Sequence, residues 1–103
     1  MSNEKTNVER SKVYGAIDSE RLYQEDTQGG FEHDRKHTLW EWLAIVDREL
    51  AEAKGALLEG NEYMAKAEIL QAAATLVACM EAKGFGVEPS HVVRIAHLKG
   101  TKL

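Results

Sequence analysis

The chain reads as all-α: a helical hairpin with an N-terminal helix before it and a short C-terminal helix after it, completed as a four-helix bundle by homo-oligomerisation. Three observations predict this. A single proline occurs in 103 residues. Two central segments repeat apolar residues at alternating spacings of four and three, the rhythm of one helix face. Start and stop signals for helices punctuate those segments.

The first helix is expected over 7–26, after a frayed start at 1–6, with Val13 and Ile17 one turn apart. Thr27-Gln28-Gly29-Gly30 stops it, because paired glycines favour a C-terminal cap and a loop. Residues 31–37 (FEHDRKH) form a polar connector. Thr38-Leu39-Trp40-Glu41 is a capping box, in which Thr38 and Glu41 satisfy each other's free backbone donors. The second helix then runs over 39–58. Glu59-Gly60-Asn61 breaks it, and Asn61 can cap a third helix over 62–83 that ends at Gly84. Glu88-Pro89-Ser90 opens the last helix with Pro89 in its first turn, and Gly100 ends it. In terms of domains, residues 1–12 are a flexible N-terminus, 13–84 the helical domain and 85–103 a C-terminal extension.

Composition narrows the function. There are 13 Lys+Arg against 17 Asp+Glu, a net charge of −4, which argues against a nucleic-acid binder. The charge is uneven. Residues 38–81 hold eight acids and three bases, while 82–103 hold four bases and one acid. The basic tail can dock on the acidic bundle or on a partner subunit. No apolar run approaches the roughly 18 residues of a membrane span. The start, MSNEKTNVERSK, lacks an apolar signal core, so a cytoplasmic protein is expected. Cys79 is the one cysteine, which excludes an internal disulfide and a cysteine-rich zinc site. The four histidines have no metal-ligand spacing.

The central helices carry the chemistry. In the second, Leu39, Leu43, Val46, Leu50, Ala53 and Leu57 form the expected core seam, beside a stripe of Trp42, Ile45, Glu49, Glu52 and Ala56. In the third, Leu70, Ala73, Val77 and Met80 form a seam beside Met64, Glu68, Gln71, Thr75, Ala78 and Ala82. Folding the two about Gly60 brings Glu52 level with Glu68, and Glu49 level with Gln71. Three carboxylates and an amide then meet on one face. Crowded carboxylates repel, and burying them is costly. A divalent cation relieves both costs, and an all-oxygen set suits Mg²⁺ or Mn²⁺. The alternative is that these are boundary residues with their heads in water.

Glu49-Leu-Ala-Glu52 followed by Glu68-Ile-Leu-Gln71 resembles the ExxE…ExxD signature of the MazG-like, all-α nucleoside triphosphate pyrophosphohydrolases, in particular small MazG-like proteins encoded by phages. The resemblance is carried by AIDSERLYQED (16–26), HTLWEWLAIVDRELAEAKGALLEGN (37–61) and AEILQAAATLVACMEAKG (67–84). It covers roughly residues 13–84. It implies Mg²⁺-dependent hydrolysis of a (d)NTP to (d)NMP and pyrophosphate. Glu49, Glu52 and Glu68 would be catalytic and would hold the metal, with position 71 as the fourth ligand. That position departs from the pattern: the family has Asp, and Gln71 is neutral, a weaker ligand and no base.

Trp42 lies two turns before Glu49, roughly 10 Å by helix rise. It can stack on a nucleobase, or it can be a core or interface residue. Arg21, Gln24 and Lys54 are candidate phosphate or base contacts, or surface salt-bridge partners. Because each central helix carries two usable stripes, a homodimer or a dimer of dimers is expected. Two other functions compete with hydrolysis: a non-catalytic nucleotide-binding module with a degenerate metal site, and a purely structural helical oligomer.

Overall fold

The computed structural model describes residues 4–85 and 88–100. The described residues form five helices and no strand: α1 Glu4–Gln28, α2 Phe31–Asp34, α3 Leu39–Leu58, α4 Glu62–Ala82 and α5 Ser90–Leu98. The helices α3 and α4 make an antiparallel hairpin. α1 packs along α4, and the short α2 also leans on α4.

Local chemistry accounts for the boundaries. α3 begins at the capping box, with the Glu41 amide donating to Thr38 Oγ1 at 3.1 Å and the Thr38 amide donating to Glu41 Oε1 at 2.9 Å. At the hairpin turn Gly60 has φ +73°, a conformation that glycine adopts without strain. Asn61 Oδ1 then accepts from the Met64 amide at 3.0 Å and starts α4. α4 ends at Ala82, one residue before the expected end.

Three elements differ from expectation. α1 is helical from Glu4, because no glycine or proline lies before Gly15 to stop it. Its early turns are unsupported, with every side chain from Asn7 to Ala16 exposed. The polar connector contains α2, one turn opened by Gly30, whose carbonyl accepts from the His33 and Asp34 amides at 3.0 Å each. Pro89 sits just outside α5, at its N-cap, rather than in its first turn.

The core also differs. The hairpin seam is made by Trp42, Val46, Glu49 and Ala53 of α3 against Ala65, Ala72, Thr75 and Cys79 of α4, all buried. Only Val46 and Ala53 of the expected α3 seam are among them. The four leucines of that seam, Leu39, Leu43, Leu50 and Leu57, are 40–54% exposed. The small side chains of α4 draw α3 in by the face that carries Trp42 and Glu49. The leucines are turned aside by about one residue's rotation, ~100° at 3.6 residues per turn. On α4, Ile69, Leu76 and Met80 are exposed as well. Helix geometry sets these two apolar stripes on the same side of the hairpin, away from α1.

Candidate functional site

Glu49 stands at the middle of the hairpin seam and is only 8% exposed. The Thr75 hydroxyl of α4 donates to its Oε2 at 3.1 Å, while Oε1 is buried with no donor. Burial pushes the Glu49 pKa above the ordinary carboxylate value. The Thr75 bond and Arg48 pull it down, and the charges of Glu52 and Glu20 add to the rise.

Glu52, one turn further along α3, is exposed and level with half-buried Glu68 of α4. As a carboxylate, Glu68 would keep Oε2 buried without a donor. Burial raises its pKa first, then a carboxyl–carboxyl hydrogen bond with Glu52 and repulsion from Glu52 and Glu49. Glu52 and Glu68 therefore face each other across the hairpin, one from each helix. They line an open cleft of about 310 Å³ at the turn end of the hairpin, with Gly55, Ala56, Glu59, Asn61 and Met64. Glu59 stands on the same wall as Glu52. Its spacing from Glu52 through Ala56 is four and three, so all three share a face.

Across the hairpin the side chain that hydrogen-bonds Glu49 is that of Thr75, one turn beyond Gln71 on α4. Gln71 is half-buried, and its backbone carbonyl accepts from the Thr75 hydroxyl at 2.9 Å and from Gln24 Nε2 at 3.4 Å. Among the described residues, no three His, Cys, Asp or Glu side chains stand together as a ready-made metal cage. One oxygen of Glu49 is held by Thr75, and like charges with nothing between them separate. The donor chemistry nonetheless fits Mg²⁺ or Mn²⁺: two buried carboxylate oxygens lack a partner, and every available ligand is oxygen.

The expected nucleotide contacts fare unevenly. Gln24 is buried beside the site, with Nε2 reaching Thr75 Oγ1 at 3.5 Å as well as the Gln71 carbonyl. Arg21 is buried, not at the surface. Its guanidinium binds Asp34 at 2.7 Å, Glu81 at 3.2 Å and Glu25 at 3.5 Å, so three carboxylates already surround its charge. Lys54 is exposed and two residues from Glu52, a spacing that turns it to another face of the helix. Trp42 is 4% exposed, packed against Ala78 and Cys79 with His37 edge-on at 5.0 Å. No ring face is open for a base in the single chain. Its indole N–H is buried and unpartnered.

Thr75 and Glu59 belong to this region and were not expected as site residues, while Asp34 lies apart with Arg21. Among the described residues no helix is long and apolar enough to cross a membrane. No family model matches the chain, and neither a curated protein nor a solved structure shows significant similarity to it.

Proposed function

We propose that the chain is a Mg²⁺- or Mn²⁺-dependent nucleoside triphosphate pyrophosphohydrolase, taking a (d)NTP and water to (d)NMP and pyrophosphate. The observation that carries this reading is the pair of buried, unpartnered carboxylate oxygens, Oε1 of Glu49 and Oε2 of Glu68, on facing helices. Glu49, Glu52 and Glu68 stand on facing helices, and a cation drawn between them would offset their repulsion. Glu49, Glu52 and Glu68 would hold it, with the Gln71 amide oxygen as a neutral fourth ligand. When bound, Mg²⁺ supplies charge neutralisation at the phosphates and acidifies a water. A carboxylate of the set would accept the water's proton. The cleft beside Glu52 and Glu68 offers Met64 and Ala56 as apolar wall.

A second reading rests on Gln71. An amide where the resemblance expects a carboxylate fits a module that binds a nucleotide without cleaving it; with no response to nucleotide at all, a structural helical oligomer is left. Incubation with each NTP and dNTP plus Mg²⁺ or Mn²⁺, followed by pyrophosphate release and thermal shift, separates them. Release that vanishes in Glu52→Gln supports the enzyme. A thermal shift without release supports the binding module. If Gln71→Asp creates activity where wild type has none, the native site is degenerate.

The working unit is a homodimer or a dimer of dimers, closed by the apolar face opposite α1. The chain exposes 8212 Å². A compact monomer of this mass exposes about 5,800 Å². Part of that difference is the free start of α1. Part is α5, which has no close packing partner among the other described helices, and part is the open leucine face of the hairpin. Sedimentation at micromolar concentration is expected to show a species of at least twice 11.5 kDa; a folded monomer overturns the assembly.

A further inference from the structure

We infer that Thr75, backed by Gln24, is a positioning residue that aims the free oxygen of Glu49 at the cation. The inference rests on the metal-site reading above and adds a part of the machinery outside the acidic cluster.

Three buried polar side chains from three helices lie in series. Gln24 of α1 is 7% exposed, Thr75 of α4 is 5% exposed, and Glu49 of α3 is nearly as buried. Thr75 has one proton and two acceptors in range, the Gln71 carbonyl at 2.9 Å and Glu49 Oε2 at 3.1 Å. A threonine inside a helix ordinarily gives its proton to the carbonyl four residues back. Gln24 changes that choice. Its Nε2 carries two protons and reaches both the Gln71 carbonyl and the Thr75 oxygen, at 3.4 and 3.5 Å. With the carbonyl supplied by Gln24, the Thr75 proton goes to the carboxylate, the stronger acceptor. One oxygen of Glu49 is then pinned, and the carboxylate plane is set with Oε1, buried and without a donor, left as the free lone-pair donor. Groups that orient a metal ligand in this way are worth roughly 10–100-fold in metal affinity.

The test is calorimetric titration of the full-length protein with Mn²⁺, in wild type, Thr75→Val, Thr75→Ser and Gln24→Met, with circular dichroism to check that each is folded. Thr75→Val keeps the shape and removes the hydroxyl. It is expected to weaken Mn²⁺ about tenfold or more. Thr75→Ser restores the hydroxyl and is expected to bind within about threefold of wild type, a rescue that a merely space-filling threonine does not require. Gln24→Met leaves Glu49 and Thr75 untouched and is expected to weaken binding by a smaller factor, which keeps the test alive should Thr75→Val not fold. Wild-type affinity in both Thr75→Val and Gln24→Met overturns the positioning role while leaving the metal site standing. Absence of Mn²⁺ binding by wild type overturns both.

Discussion

The two sides of the α3–α4 hairpin are built on opposite plans. On the side that α1 covers, the buried groups are small or polar: alanines, Thr75, Gln24, Glu49 and the Arg21–Asp34 pair. On the other side, large apolar residues stand open: Leu39, Leu43, Leu50 and Leu57 with Ile69, Leu76 and Met80. A chain folding only for its own stability does the reverse, because apolar burial stabilises and polar burial costs unless every group finds a partner. The difference teaches that the polar groups of the covered side are held at a cost in stability, and that the open side is where apolar stabilisation from another surface is still to be gained.

The largest effect tests the open side. Leu43→Glu with Leu50→Glu puts two charges on that face. Sedimentation is expected to show the assembly falling to 11.5 kDa. The milder Leu50→Ala sharpens the point. It costs about 0.5 kcal/mol or less if the leucine stays at a surface, and roughly 2–5 kcal/mol if a partner buries it.

The next effect belongs to the covered side. Arg21→Met strips Asp34 of its buried partner, and such losses cost about 3–5 kcal/mol. Denaturant melts are expected to show this, and Arg21→Met with Asp34→Leu is expected to recover much of it. A double variant as unstable as the single one breaks the view that the pair, rather than the arginine's bulk, holds α1 to the hairpin.

The smallest effect has the most telling sign. Burial and neighbouring charge raise the Glu49 and Glu68 pKa values in the folded state. A group with a raised folded pKa binds more protons folded than unfolded. Its stabilisation is therefore full below the unfolded value of about 4.3 and fades as pH rises through the folded value. Glu68→Gln removes this loss, so the metal-free variant is expected to melt above wild type at neutral pH and to lose that advantage on acidification. A variant less stable than wild type at pH 7 contradicts the crowded-carboxylate account.

Much of the architecture was legible because its causes are local. Thr38 and Glu41 cap each other three residues apart, and Gly60 with Asn61 ends one helix and starts the next. α3 therefore falls on its expected residues. The rotation of α3 against α4 was not legible. Periodicity reveals that a helix has apolar stripes; it does not reveal which stripe meets its own hairpin partner and which waits for another surface. Trp42 and Leu43 are adjacent in sequence, and only the alanines of α4, too small to hold a leucine ridge away, decide between them. The candidate site shows the same division. Glu49, Glu52 and Glu68 could be found from spacing and the turn. Gln24 was expected as a nucleotide contact, but its link to Thr75 could not be read, since that contact spans 51 residues and a threonine signals no site alone. Glu59 could have been found from its seven-residue interval to Glu52.

The unsupported opening of α1 has a consequence of its own. A helical stretch with every side chain from Asn7 to Ala16 in water is held from one end only, by the turns that reach Arg21 and Gln24. Isolated helices this short are marginal. Backbone amides before Ile17 should therefore trade hydrogen for deuterium quickly and those around Arg21 slowly. The boundary between the two rates would mark, along one continuous helix, the point at which tertiary contact takes over from local propensity.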